Sequence, residues 1–442
     1  MSEQDATCAW CDRSAELPGH RIQCVVPRLH LPVDVISFVW SPGNALPAGT
    51  GGSENYTVGQ VRELNRRGVA AQVVTVGLGE ADGRDQFIEV PFHALDRLSQ
   101  VSDLAGTVVF VNDIAAVPTV NPSFQILHNP PPIREKYRTF AIQSVRGRVL
   151  IATSRYAARL WSDFLDVNLA SVHVVYPFAE PPFAAQVRDP GPAAVTRILY
   201  AGRLSPEKGI YTLLAMLHVD VIAEDPTLRF TVTTAGSDKP QGQVIQQLVD
   251  AHPGIGVVPA RKRPESMAAL MAEHDIVVMP SNGQYWHETF GIVSIEAQHA
   301  GCRVVASNDG GLPETDCGAV TLIEPDDAEA LAWGIRAAIA QGPLAALERR
   351  TAASRFTVAH SVDALLEILS RHGHRPPARL ERELEQLMRL PAAFAASSLD
   401  LDASRMIDSA AYVSSSAAVT TTSRAVIDVA ASAAMPSCPL PY

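Results

Sequence analysis

Residues 281–314, SNGQYWHETFGIVSIEAQHAGCRVVASNDGGLPE, leave the fold little freedom. A polar loop carrying Trp286, His287 and Glu288 runs through Phe290-Gly291 into an apolar segment, Ile292 to Ala300. Gly301 stops that segment, as a glycine just past a helix end commonly does. The β-branched run Arg303-Val304-Val305-Ala306 follows at once. Loop, helix and strand therefore succeed one another without slack. The N–H groups of Phe290, Gly291 and Ile292 point out of such a helix start, where they attract an anion or a developing negative charge. Gly291 lacks a side chain and lets a ligand approach the backbone. Glu288 and Glu296 stand about 12 Å apart if the spacing is helical throughout, at ~1.5 Å per residue. One could hold each end of a long ligand. The same two residues also fit a solvated Glu288 and a Glu296 favoured by the helix dipole.

The pattern around this stretch is strand, turn, helix, strand. Val33–Val39 reads as a short buried strand, and the glycine- and proline-rich loop 41–54 follows it. A helix then carries Val58, Val61 and Leu64 on one face and stops at Gly68, before the strand Ala71–Val76. This is a β-α-β unit of a parallel sheet. Further strands are expected at 108–112, 124–128, 149–154 and 172–177, with a helix between the last two that carries Tyr156, Leu160 and Phe164. The run 177–194 is rich in proline and alanine and reads as a linker. Beyond it, strands near 197, 229, 255, 275, 303 and 319 alternate with helices at 210–217, 243–251, 265–274, 328–340 and 344–355. We read the second half as a Rossmann-like layer of five parallel strands, so the fold class is α/β.

Polar residues gather where strands end, which is where open α/β sheets bind ligands. Gly51-Gly52 at a helix entrance fits a phosphate cradle or a plain tight turn. Asn112 and Asp113 follow one strand, His128 and Asn129 the next. The turn Pro130–Arg138, which includes Arg134, fits an acceptor-facing loop or a solvated one. Arg203 stands at the carboxyl end of strand 197–202, and Lys208 at the far end of the loop Ala201–Gly209. Arg binds phosphate oxygens as a fork and Lys as a point charge, so the two suit a diphosphate. They also fit two surface charges beside a turn.

The spacing Glu288-x7-Glu296, with Phe290-Gly291 inside it and Gly301-x-x-Val304-Val305 after it, together with Ala201-Gly-Arg-Leu-Ser-Pro-Glu-Lys-Gly209, resembles the retaining glycosyltransferases of family four, the glycosyl transferases group 1. The resemblance spans residues 33–370. It implies the GT-B fold, two Rossmann-like domains facing each other across a cleft, and a nucleotide diphosphate sugar, UDP- or GDP-linked, as donor. It implies that Arg203 and Lys208 neutralise the leaving diphosphate, helped by amides of Gly51-Gly52 and of Phe290-Gly291. Glu296 would bind the ribose hydroxyls and Glu288 the donor sugar, with Thr289, Ile292 and Val293 beside them. Arg261 would lie by the base. The backbone carbonyl of His128 would face the anomeric carbon, and Asn112, Asp113, Asn129 and Arg134 the acceptor. Sugar transfer with retention then needs no protein base, since a phosphate oxygen takes the acceptor's proton. No Asp-x-Asp stands at a strand end of the donor domain, and Asp400-Leu-Asp402 lies in low-complexity sequence, so a metal-free site is expected.

The domains read as an N-terminal extension 1–32, an acceptor domain 33–180, a linker 181–194, a donor domain 195–358, helices 359–390 crossing back to the first domain, and a low-complexity tail 391–442. A short amphipathic helix is expected around Leu380–Met388. Cys8, Cys11, His20 and Cys24 could hold zinc, pair as a redox couple, or stand as free thiols in an extension. A net charge of −11 argues against non-specific binding to nucleic acid or an anionic membrane. No run approaches ~18 uninterrupted apolar residues, no leader is visible, and six cysteines in 442 residues make no disulfide framework. A cytoplasmic enzyme with a small soluble acceptor, as in natural-product assembly, is the resulting expectation. The alternatives are a lipid or polysaccharide acceptor, for which Arg62, Arg66, Arg67 and the cations of 134–148 hint at a basic face; a sugar-nucleotide binder without catalysis; and an epimerase or phosphorylase on the same fold.

Overall fold

The computed structural model describes residues 35–46, 52–87, 89–132, 136–188, 194–284 and 286–373. Cys8, Cys11, His20, Cys24, Gly51, Arg134, the Leu380–Met388 segment and the Asp400/Asp402 pair lie outside those residues.

The chain forms two parallel sheets with flanking helices. The first is seven-stranded: β1 (Ile36–Val39), β2 (Ala71–Val76), β3 (Phe92–Leu95), β4 (Thr107–Val111), β5 (Ser123–Leu127), β6 (Val149–Ala152) and β7 (Val172–Val174), in the order β3-β2-β1-β4-β5-β6-β7. The second is six-stranded: β8 (Thr196–Tyr200), β9 (Leu228–Thr233), β10 (Ile255–Val258), β11 (Ile276–Met279), β12 (Arg303–Ser307) and β13 (Val320–Ile323), in the order β10-β9-β8-β11-β12-β13. The central strands are buried on both faces, as the unbroken apolar runs require. In each sheet the strand order turns around at the first strand, between β1 and β4 and between β8 and β11. A crevice opens at the carboxyl ends of strands at such a switch point.

Four points differ from the sequence reading. The second sheet holds all six of the strand segments named from the sequence, where a layer of five was read. β3 was not foreseen: its Phe-His-Ala-Leu lies at the sheet edge with only Leu95 buried, so it lacks the apolar run that marks the inner strands. The helix Arg155–Leu165 turns Ala157, Ala158, Trp161 and Leu165 inward, not Tyr156, Leu160 and Phe164, which are half-buried. Two alanines let the helix approach the sheet closely, and the Trp161 indole donates to the Asn129 carbonyl at 2.8 Å, which fixes its rotation. Residues 181–185 of the expected linker form a short helix, with Phe183 buried.

The last described helix, Val358–His372, leaves the second sheet and packs on the first. Val362, Leu365, Ile368 and Leu369 join Phe38, Val61 and Leu64 in one core. Each such side chain contributes about 2 kcal/mol by leaving water. Gln60 donates to the Ser361 hydroxyl at 3.1 Å, and Arg67 pairs with Asp363. Among the described residues no single helix is long and apolar enough to cross a membrane.

Candidate functional site

The switch point of the second sheet sets the site. β8 ends at Tyr200, and the chain turns through Arg203 to Lys208 before the helix Ile210–Met216. β11 ends at Met279, and the neighbouring loop carries Ser281 and Glu288 before the helix Ile292–His299. The two loops meet. The Lys208 ammonium pairs with Oε1 of Glu288, and the Ser281 hydroxyl donates to the same oxygen at 3.1 Å. Glu288 is buried, and burial alone would push its carboxyl up. The Lys208 charge and hydrogen bond, the Ser281 hydroxyl and the Arg203 charge outweigh burial and hold it below the ordinary range. Sequence alone placed Lys208 on a phosphate and Glu288 on a sugar; the structure brings them into contact.

The loops can meet because of a glycine. Gly209 has φ +70° and caps the helix Ile210–Met216. A Cβ there would stand 1.6 Å from the Pro280 carbonyl oxygen, so no other residue fits. Gly291 has φ +100° and starts the helix Ile292–His299, whose first turn the Ser294 amide closes onto the Gly291 carbonyl at 3.0 Å. The amides ahead of Ser294 lie at the open end of the helix, the anion-binding end. Phe290 is buried against Tyr176 and Phe356, with ring centroids 5.6 and 5.4 Å away, so it presents backbone and not side chain to a ligand.

Arg203 is half-exposed and approaches Glu207 at 3.4 Å. Its charge also acts on Glu54 in the first turn of the helix Gly52–Arg66, across the junction of the two sheets. Gly52 closes the same junction: a Cβ on it would stand 2.8 Å from the Ile292 Cδ1. The start of the helix Gly52–Arg66 thus abuts the helix start at Ile292. Val293 is half-buried beside Ile292, and Arg261 is exposed.

Glu296 is buried in the second turn of its helix. Burial, then the charge of Glu180, pushes its carboxyl up to about 8. Glu180 itself is raised by burial.

The first sheet supplies a polar row. By register, Val39 lies opposite Phe110, Val111 opposite Ile126 and Leu127 opposite Ala152. Trp40, Asn112, His128 and Thr153 therefore follow the ends of four neighbouring strands. In each a buried polar atom lacks a protein partner: Trp40 Nε1, Asn112 Oδ1, His128 Nε2 and Thr153 Oγ1. Unpaired buried polar groups are costly and tend to mark functional sites. Burial pushes His128 down to about 3, and the Tyr56 ring meets it edge-on at 4.7 Å. Asn112 has φ +65° and donates to the Ser53 hydroxyl at 3.4 Å. Burial raises Asp113 to about 6 against the Ser41 hydroxyl bond. Of this row, sequence reading named Asn112, Asp113 and His128. It missed Trp40 and Thr153, whose only signal is position after a strand. Asn129 contributes its carbonyl to Trp161.

Glu314, in the turn after β12, locks the halves together. Its carboxylate accepts from the Arg155 and Tyr156 amides at 3.0 and 2.7 Å and from the Tyr176 hydroxyl at 2.8 Å. It thus caps a first-sheet helix from the other sheet, a contact worth about 1–3 kcal/mol. Ser154 caps the same helix and donates to the Thr289 carbonyl.

The arginines that hinted at a basic face are largely paired. Arg66 and Arg67 both grip Glu63, with Nε–O distances of 2.6 and 2.7 Å, and Arg62 lies 4.0 Å from Glu89. Arg148 is buried, bonded to Gln125 and to the Ala115 and Val117 carbonyls and stacked 3.7 Å above Phe110.

Comparison with known proteins agrees with this architecture. Residues 195–341 match the family model of the glycosyl transferases group 1. The D-inositol 3-phosphate glycosyltransferase of Geodermatophilus obscurus is 30% identical over 205 residues, which cover 44% of this chain and 44% of that protein. The glycogen synthase of Mycobacterium tuberculosis is 32% identical over 216 residues, covering 44% and 47%. The match thus spans less than half the length of these curated relatives. A glycosyltransferase from Rickettsia africae superposes with a TM-score of 0.62 at 16% identity, over 81% of this chain and all of that one, which is 100% covered. Anabaena HepE in complex with UDP and glucose superposes with a TM-score of 0.58 at 19% identity, over 76% of this chain and 99% of that one. Residues 195–341 are thus similar to the glycosyl transferases group 1, and the chain has the GT-B fold.

Proposed function

We propose that the protein transfers a sugar from a nucleotide diphosphate sugar to a small hydroxylated acceptor with retention at the anomeric carbon. The observation that carries this reading is the Lys208–Glu288 contact at the switch point of the second sheet. Lys208 and the half-exposed Arg203 lie on one of the two loops that meet here, and the helix start at Gly291 ends the other, which suits a departing pyrophosphate. Support comes from the family match over 195–341 and from the UDP bound in a neighbour of the same fold.

In this reading the diphosphate lies between Arg203, Lys208 and the amides at Gly291 and Ile292, with Gly52 closing over it. Glu296 takes the ribose hydroxyls, and Arg261 lies by the base. Glu288, kept ionised by Lys208, accepts from sugar hydroxyls. The bond between the anomeric carbon and the diphosphate breaks, and the acceptor oxygen bonds to that carbon on the same face. The acceptor's proton passes to a phosphate oxygen, so no protein base and no metal is invoked. The His128 carbonyl faces the positive charge that develops at the anomeric carbon. The polar row of Trp40, Asn112, Asp113 and Thr153 receives the acceptor. Paired Arg66 and Arg67 and the buried Arg148 favour a small acceptor over a lipid surface.

A ligand that binds only the folded state raises the unfolding temperature. UDP, GDP, ADP and their sugars are therefore screened by thermal shift, followed by nucleotide release and product analysis. We expect one nucleotide class to stabilise the protein by several degrees and an α-linked product from its α-configured sugar. Stabilisation without release in the presence of an acceptor-rich extract favours a binder. An epimerised or phosphorolysed sugar favours the other chemistries.

A further inference from the structure

The loop and turn beside Glu288 hold a pair that the transfer mechanism leaves unused. His287 Nδ1 lies 2.8 and 3.0 Å from the two carboxylate oxygens of Asp309. A carboxylate at that distance only accepts, so Nδ1 carries the hydrogen, and in that tautomer Nε2 is left as an acceptor. Among the described residues Nε2 has no hydrogen-bond partner. The His287 side chain is 46% exposed, whereas that of Asp309 is 14% exposed. The orienting group is the less exposed of the two, and the oriented one is presented outward.

The pair is held rigidly. A Cβ on Gly283 would come within 2.8 Å of Asp309 Oδ1, so the chain leaves just enough room for the carboxylate. Gly311 donates its amide to the Glu288 carbonyl at 2.7 Å, and Gly310 packs so closely that a Cβ would lie 2.3 Å from that oxygen. His287 precedes Glu288 in one loop, and Asp309 precedes Gly310 in the other; both loops leave the carboxyl ends of neighbouring strands, β11 and β12. Across the junction, the Tyr156 ring meets the His287 ring at 5.9 Å and 60°. Tyr156 is fixed in turn by its amide bond to Glu314.

We propose that His287, oriented by Asp309, is a further sugar-contacting residue, its Nε2 accepting a hydrogen bond from a hydroxyl of the transferred sugar, with Tyr156 of the first domain closing that subsite. Asp309 is then a positioning residue. This rests on the reading of the protein as a nucleotide-sugar glycosyltransferase. It makes the subsite sensitive to which hydroxyls the sugar carries, while the nucleotide is held elsewhere.

The test is calorimetric titration of the full chain with UDP against UDP-glucose and with GDP against GDP-mannose, for the parent, His287→Ala, His287→Gln and Asp309→Asn. The parent is expected to bind one nucleotide sugar tighter than its nucleoside diphosphate. His287→Ala is expected to lose about tenfold for the nucleotide sugar, the scale of one hydrogen bond, and nothing for the nucleoside diphosphate. The Gln amide oxygen reaches the position of Nε2, so His287→Gln recovers part of the loss. Asp309→Asn shows a smaller loss in the same direction. Equal affinities of parent and His287→Ala for the nucleotide sugar overturn the assignment, as does an equal loss for the nucleoside diphosphate. A parent that binds neither these four ligands nor ADP and ADP-glucose sinks the underlying reading and this assignment with it, and that result is seen before any substitution is made.

Discussion

Lys208→Met is expected to lower turnover at least ~10²–10³-fold, the scale of removing one preorganised charge from a transition state. It also strands Glu288, a buried carboxylate whose ionised form depends on Lys208. Breaking a buried pair from one side typically costs about 3–5 kcal/mol. Glu288 has a folded-state value below its ordinary 4.5. The pair's contribution is therefore present above that ordinary value and lost as the pH falls through the lowered one. The variant should show its stability deficit at neutral pH and lose most of it in acid. Adding Glu288→Gln removes the stranded charge. The double variant should recover stability near that of the parent yet remain inactive, which separates chemistry from folding. Denaturant unfolding at two pH values and initial rates of nucleotide release measure both quantities. A Lys208→Met protein that is unstable but turns over normally when folded would remove the lysine from the chemistry.

Glu296 is expected to give the opposite pH dependence. Burial and Glu180 raise its folded value from 4.5 to about 8. The native state therefore keeps a proton that the unfolded chain has released, and stability falls as the pH rises from about 4.5 to about 8. Above that window the full cost is present. At ~1.4 kcal/mol per pKa unit the cost amounts to several kcal/mol. Glu296→Gln should remove this slope and stabilise the ligand-free protein most at pH 8–9. If Glu296 holds the ribose, the same variant should bind nucleotide about tenfold more weakly, the loss of one hydrogen bond of this kind. Unfolding midpoints across pH 4–9, with and without UDP, check both halves. A stability curve identical to the parent's would show that Glu296 does not carry the proton. Unchanged stability and unchanged affinity together would leave it a packing residue.

How much of this was visible in the sequence depends on how local the cause is. Strands such as Ala71–Val76 and Ile255–Val258 are rich in β-branched residues and bounded by glycine or proline, and their bounds follow from the residues themselves. The helix starts at Gly209 and Gly291 were legible for the same reason. β3 was not, because an edge strand with one buried residue has no pattern to read. The rotation of the helix Arg155–Leu165 was not legible because two apolar rows run along it. Contact with the sheet and the Trp161 bond to Asn129 select between them, and neither is local.

The site divides in the same way. Arg203, Lys208, Glu288 and Glu296 stood out by spacing. The contact of Lys208 with Glu288 bridges eighty positions and depends on β8 and β11 being neighbours, which only the sheet order reveals. Glu180 beside Glu296, Glu314 on the Arg155 helix and Asp309 on His287 are long-range meetings of the same kind. Each changes the chemistry of a residue that sequence could name but not pair.

The most direct test of the central claim is calorimetric titration of UDP, GDP and ADP into the parent and into the Arg203→Ala, Lys208→Met double variant. Two cations and a helix start that hold a pyrophosphate predict saturable binding of at least one nucleoside diphosphate to the parent. They predict a loss of about a hundredfold or more in the double variant, at ~1.5–3 kcal/mol for each charged hydrogen bond. Equal affinity in the two proteins, with both folded, would contradict the account.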